Sequence, residues 1–117
     1  MKYALLVYVD DDRGDAPDPD RPIHPAIATA LRQPGVTGWA RLHGPGSATS
    51  VSVDDGRTLL TDGPFVTSKE VVGGIILVEA ANLDGALTIA ADLQAARGDA
   101  GGGIEVRPVL EERIAGA

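Results

Sequence analysis

The stretch KYALLVYV, residues 2–9, is apolar on both of its alternating faces, and it therefore predicts a strand that is covered on two sides. One face would carry Tyr3, Leu5, Val7 and Val9, and the other Ala4, Leu6 and Tyr8. A strand with one face in water would alternate apolar and polar residues instead. VVGGIILVEA, residues 71–80, has the same two-faced character. We therefore expect these two stretches to be the central strands of one sheet.

Two helices are predicted, of which the clearer spans residues 82–97. Apolar side chains recur there at helical spacing, namely Leu83, Ala86, Leu87, Ala90 and Leu93. Asn82 suits the N-cap position and Gly98 suits the end of the helix. A shorter helix is predicted over residues 21–33, with its prolines confined to the first two turns.

Four further strands complete the predicted order. Three of them are short, at residues 38–43, 47–53 and 57–61. The last two of these flank Asp54-Asp55-Gly56, and Asp-Gly between β-prone stretches is typical of a hairpin turn. The final strand is predicted at residues 104–109, where Pro108 lacks a donor N–H and therefore favours an edge position.

This order predicts an α+β, ferredoxin-like βαββαβ domain over residues 1–117, with a β-hairpin inserted before the third main strand. Two helices can cover only one face of a four-stranded sheet, yet the central strands are apolar on both faces. The second face needs another cover, and a second copy of the chain is the simplest one. We therefore expect a homodimer that forms through the sheet face.

Composition excludes several classes of function. The net charge is −7 and only two lysines are present, which argues against nucleic-acid binding. There is no cysteine, and the two histidines lack metal-ligand spacing, so no metal and no cofactor are predicted. Six aspartates between residues 10 and 20 favour a solvated loop over a calcium site. The chain has no long apolar segment, which predicts no membrane association and a cytoplasmic location.

The stretch TDGPFVTSKEVVGG, residues 61–74, resembles the signature of the YCII-related DGPF family. The N-terminal MKYALLVY and the IEVRPV stretch at residues 104–109 are similar to the two ends of that family. The resemblance covers most of the chain and implies a dimeric α+β barrel, in which two ferredoxin-like domains face each other through their sheets. One departure is Thr67, which stands where the family usually has an acidic residue.

Three residues are candidates for acid–base catalysis: Asp62, His43 and His24. Asp62 could act at the mouth of the barrel, or it could bond its own turn while Phe65 fills the core. His43 precedes a glycine-rich loop that could line a cleft. The broader YCII relatives carry a proposed His–Asp pair, and RPIH, residues 21–24, is similar to the setting of that histidine. Without such a role, His24 would simply be solvated.

Three further residues are candidates for substrate binding: Lys69, Glu70 and Arg107. A lysine near an open pocket could hold an anionic substrate, and Glu70 could tune that lysine or act as a base. The alternative is a surface ion pair of little energetic value. Arg107 could contact an anion or could protect the edge of the sheet with its charge.

Two functional hypotheses follow. In the first, the chain is a cofactor-independent small-molecule enzyme, lyase-, isomerase- or hydrolase-like, with a pocket between helices and sheet and a small anionic ligand. The resemblance supports this hypothesis because some YCII relatives are similar to dehalogenating enzymes. In the second, it is a non-catalytic ligand-binding or regulatory partner. The resemblance implies an association with extracytoplasmic-function sigma factors in that case.

Overall fold

A computed structural model describes residues 1–10, 22–66, 68–98 and 102–113. Thr67 and almost all of the predicted aspartate-rich loop lie outside these residues. Within them the chain forms six strands and two α-helices, in the order β1 (Lys2–Asp10), α1 (Pro25–Ala30), β2 (Val36–Arg41), β3 (Thr49–Asp54), β4 (Arg57–Asp62), β5 (Glu70–Glu79), α2 (Leu83–Arg97) and β6 (Ile104–Pro108).

The main sheet has four antiparallel strands in the described residues, in the order β2-β5-β1-β6. This is the ferredoxin-like strand order that the sequence predicts. β1 and β5 lie at the centre, as their two apolar faces indicate. β6 is an edge strand, and the prediction from Pro108 is therefore confirmed.

The core lies between one face of this sheet and the two helices. Its strand residues are Tyr3, Leu5, Val7, Ile76 and Val78, and its helix residues are Ala26, Ala30, Ala86, Ala90 and Leu93. Four of the five helix residues are alanines, which present little bulk to the sheet, so large strand side chains fill the layer between sheet and helices. Among the described residues, Tyr3 is the only aromatic side chain in this core.

Both helices differ in detail from the prediction. α1 is shorter than residues 21–33, because it begins at Pro25 and tightens after Ala30 into bonds between residues three apart. α2 begins one residue later than the predicted 82–97, because Asn82 is its N-cap and accepts a hydrogen bond from the Gly85 N–H, and Gly98 ends it as predicted. The buried stripe of α2 is narrower than expected, since Leu83 and Leu87 are both more than two-fifths exposed.

The second face of the sheet carries no helix of the described structure. Side chains of β1 and β5 alternate between the two faces of the sheet. The centre of the second face is therefore apolar and consists of Ala4, Leu6, Tyr8, Ile75 and Leu77. We call this surface the open face. Glu105 and Arg107 of β6 lie on the same side as Leu6 and Ala4, their partners in the register, and they place charge at its edge.

β3 and β4 pair with each other in a separate two-stranded sheet that lies between β2 and β5 in chain order. Their turn is Asp55-Gly56, with φ of 51° and 77°, as a two-residue hairpin turn requires. Val51, Val53 and Leu60 share one face of this hairpin and are each more than three-fifths exposed. An isolated two-stranded hairpin is only marginally stable in water, and a further contact on this apolar face would stabilise it.

The core predicts a clear difference between two substitutions. Ile76→Ala removes a side chain with no exposed surface at the centre of β5, and we expect it to lower the unfolding free energy by about 2–5 kcal/mol. Val53→Ala, on the exposed hairpin face, should change that free energy by about 0.5 kcal/mol or less. Urea unfolding measures both. Equal losses would contradict the described position of the core.

Candidate functional site

A cleft of about 630 Å³ lies at one end of the open face, where β1 ends and β5 begins. Its walls come from the sheet and from the two loops on either side of the hairpin: Tyr8, Leu42, His43, Gly44, Pro45, Ser47, Ala48, Pro64, Val66, Ser68, Glu70, Val71 and Val72. No residue of α1 or α2 belongs to this lining. This cleft therefore differs from the pocket between helices and sheet that the sequence predicts, and core side chains fill the helix face of the sheet beside it.

A β-bulge at Gly73 shapes the floor of the cleft. Val7 pairs with Gly74 and Tyr8 pairs with Val72, so that Gly73 is the extra residue. Glycine is favoured there, because a Cβ would lie 2.8 Å from Cγ2 of Val9 and that side chain would have to shift. The bulge also turns the start of β5, and the consecutive Val71 and Val72 both line the cleft.

The backbone of Tyr8 is fixed from two sides, which holds the cleft floor in place. Its N–H donates to the Gly103 carbonyl at 2.9 Å, and its carbonyl accepts from Nη2 of Arg97 at 2.9 Å. Nη1 of Arg97 also donates to Oε1 of Gln94 at 2.9 Å. Burial lowers the pKa of the Arg97 guanidinium from its ordinary value, although an arginine stays charged at neutral pH. The end of α2 therefore braces the end of β1.

The DGPF segment forms one wall of the cleft. Gly63 has φ of 101°, a value that favours glycine, and its N–H donates to the Ala48 carbonyl at 2.8 Å. The Ser50 hydroxyl donates to the Gly63 carbonyl at 2.7 Å. These bonds anchor the segment to the start of β3. Phe65 is 79% exposed, so the prediction that it fills the core is wrong within one chain.

Asp62 is the last residue of β4, where it pairs with Thr49. It is exposed and does not belong to the cleft lining. Its carboxylate has no hydrogen-bond or ion-pair partner within residues 1–10, 22–66, 68–98 and 102–113. The turn is held by Gly63 and Ser50 rather than by the aspartate side chain expected to bond it.

His43 and Glu70 are the two candidate residues that line the cleft together. His43 follows β2 and opens the loop that continues to Ala48, whereas Glu70 is the first residue of β5. The Glu70 N–H donates to the Ser68 hydroxyl at 3.3 Å, which fixes the backbone before the strand. An imidazole and a carboxylate in one largely apolar cleft can accept and donate protons.

The other three candidates lie elsewhere. His24 is the N-cap of α1, where its Nδ1 accepts a hydrogen bond from the Ala26 N–H at 3.0 Å. Lys69 is exposed and does not line the cleft. Arg107 forms an ion pair with Glu105 at 2.9 Å and stands opposite Ala4, about 14 Å along β1 from Tyr8 at the usual strand rise. The basis for an anionic ligand held by Lys69 and Arg107 is therefore absent from the cleft.

Tyr8 lines the cleft although it is not among the site residues that the sequence predicts. The sequence feature that could have identified Tyr8 is its position at the end of the two-faced strand, on the face opposite the buried Tyr3.

In the described part of the chain, no group of three or more His, Asp or Glu side chains could hold a metal ion. No helix of that part is long and apolar enough to cross a membrane.

Comparison with known proteins shows which family the sequence matches. The family model for the YCII-related domain matches residues 1–113. A curated relative, an uncharacterised protein of Rhizobium meliloti (strain 1021), is 33% identical over 115 residues, which cover 93% of this chain and 92% of the relative.

The capping role of His24 predicts how two substitutions differ. His24→Ala removes the acceptor of the Ala26 N–H and should lower the unfolding free energy by about 0.5–2 kcal/mol. His24→Asn supplies another good N-cap oxygen and should keep most of that free energy. Urea unfolding of the two variants distinguishes them. Equal losses would contradict the capping role.

Proposed function

The chain belongs to the family of YCII-related domains, and from that premise we propose that it is a cofactor-independent small-molecule enzyme whose acid–base groups are His43 and Glu70. The observation that carries the proposal is the joint position of these two side chains in one cleft. Asp62, the candidate expected from the DGPF signature, lies outside that lining. The proposed chemistry is lyase- or isomerase-like proton transfer.

The proposed roles follow from the two kinds of side chain. The Glu70 carboxylate takes a proton from the substrate carbon or hydroxyl, and the His43 imidazolium gives a proton to a second position of the substrate or to its leaving group. Apolar neighbours such as Leu42 and Val72 keep water away from part of the cleft and thereby strengthen these electrostatic interactions. Tyr8 offers a ring and a hydroxyl group for orienting the substrate at the floor.

We further propose that the chain forms a homodimer through the open face, which gives the dimeric α+β barrel expected of the family. The support is the apolar centre of that face, which includes Leu6, Ile75 and Leu77 and has no helix over it in the described residues. A second copy seated there would lie next to the cleft. The cleft would then open at the rim of the barrel.

A second candidate function is the non-catalytic ligand-binding or regulatory partner, for example one associated with extracytoplasmic-function sigma factors. The exposed hairpin face of Val51, Val53 and Leu60 favours it, because exposed apolar patches often mark protein contacts. Such a protein would need no proton transfer in the cleft. The two candidate functions can therefore be distinguished by whether the protein catalyses proton transfer.

Proton transfer can be detected without knowledge of the natural substrate. A panel of small carbonyl compounds is incubated with the protein in D₂O, and exchange at carbons next to the carbonyl is followed by proton NMR. We expect catalysed exchange with the wild type. Glu70→Gln and His43→Asn should each reduce the rate by about 10²–10⁴-fold, the usual contribution of an acid–base group.

Glu111→Gln is the matched control, because it removes the same charge from an exposed residue after β6, outside the cleft lining. Its exchange rate should equal that of the wild type. Exchange that survives both Glu70→Gln and His43→Asn would contradict the assigned roles. The absence of exchange with every compound would favour the non-catalytic candidate.

The homodimer predicts a specific effect of charge on the open face. Light scattering at micromolar concentration should give twice the chain mass for the wild type. Ile75→Glu should give a monomer that keeps its circular dichroism spectrum, because Ile75 faces away from the helix-covered core. Leu87→Glu, on the exposed flank of α2, should remain dimeric. A monomeric wild type would refute the dimer.

A further inference from the structure

The charge of the cleft lining has one sign. Among the described lining residues, Glu70 is the only one with a formal charge that does not depend on a histidine proton. The other polar groups there are the hydroxyls of Tyr8, Ser47 and Ser68 and the imidazole of His43. The remaining walls are apolar or glycine. The described lining contains no lysine or arginine beside this carboxylate.

A second carboxylate stands directly beside the first. Asp10 is the cross-strand partner of Glu70, at the ends of β1 and β5. Like charges directly opposite each other on neighbouring strands are unfavourable, so a cation at this position would relieve their repulsion. Neither side chain forms an ion pair within the described ranges. The end of the cleft is therefore an electronegative position.

Two cationic residues adjoin this end of the cleft without lining it. Arg97 belongs to α2, and its guanidinium donates hydrogen bonds to the Tyr8 carbonyl and to Oε1 of Gln94. Lys69 adjoins Glu70 in the chain but does not line the cleft. The net charge of −7 adds a long-range field that attracts cations and repels anions.

The rest of the cleft is suited to the body of an organic molecule. Its volume of about 630 Å³ lies within the usual range of small-ligand sites. The apolar side chains of Leu42, Val66 and Val72 can pack against a hydrocarbon or aromatic group. Tyr8 adds an aromatic ring, and aromatic rings attract ammonium groups as well.

From these observations we propose that the cleft selects a small organic cation, a primary ammonium group on an apolar body, with the ammonium group at Glu70. The inference rests on the proposed small-molecule site and replaces the anionic ligand expected from Lys69 and Arg107. Glu70 is thereby the residue that sets specificity for charge. Asp10 strengthens the preference from outside the lining.

Three probes of nearly equal size and shape test the proposal: benzylammonium, benzyl alcohol and benzoate. Each is titrated into the full-length protein at about pH 8, above the ordinary titration range of imidazole. Backbone amide shifts of Tyr8, Leu42, Glu70 and Val72 report binding in the cleft. The dissociation constants are compared at one ionic strength, because the attraction is screened by salt.

We expect benzylammonium to bind about tenfold more tightly than benzoate, with benzyl alcohol between them. Glu70→Gln should remove most of this preference. Asp10→Asn should reduce it while leaving the lining of the cleft intact. Glu111→Gln removes an equal charge away from the cleft and should preserve the preference.

Three outcomes would overturn the proposal, and they are distinguishable. Equal or tighter binding of benzoate refutes cation selection but leaves a small-molecule cleft in place. A preference that is undiminished in Glu70→Gln refutes the assignment to that carboxylate. Absence of shifts at the cleft amides with all three probes refutes the cleft as a binding site, and the proposed function fails with it.

Discussion

The apolar character of both faces of β1 and β5 is the constraint on which the rest of this structure depends. Each of these strands carries large apolar side chains on both faces of the sheet, and α1 and α2 cover only one of the two faces. The covered side forms the core, in which alanines on the helices meet Tyr3, Leu5 and Ile76. The uncovered side offers the open face, and the cleft lies at its end. Core, proposed dimer and proposed site thus derive from one pattern in the sequence.

The sequence predicts those parts of the fold that local chemistry determines. The central position of β1 and β5 follows from their two apolar faces, and α2 follows from its spacing and its caps at Asn82 and Gly98. α1 is less predictable, because a sequence with prolines near the start and a tight turn near the end permits several helix lengths. The broad stripe predicted for α2 is narrower in the structure, since the sheet meets the alanines rather than Leu83 and Leu87.

The candidate site is predictable only in part, because it depends on which way side chains point. An Asp-Gly-Pro-Phe turn has the same local chemistry whether its phenylalanine faces the core or water, and here Phe65 faces water. His43 and Glu70 come from separate elements, and only the assembled sheet brings them to one cleft. The histidines also show how one residue type serves two purposes, since His24 caps α1 while His43 lines the cleft.

The bulge at Gly73 has a consequence for the chemical character of the cleft. Without the bulge, Gly73 rather than Val72 would pair with Tyr8. Each side chain of the strand before Gly73 would then lie on the opposite face of the sheet. Lys69 would then take the cleft side of the sheet and Glu70 the other side. The phase of the strand, set by one unpaired glycine, thus decides whether Lys69 or Glu70 lies on the side of the sheet that carries the cleft. Gly73, which has no side chain, therefore determines which charged side chain the start of β5 directs to the cleft side of the sheet.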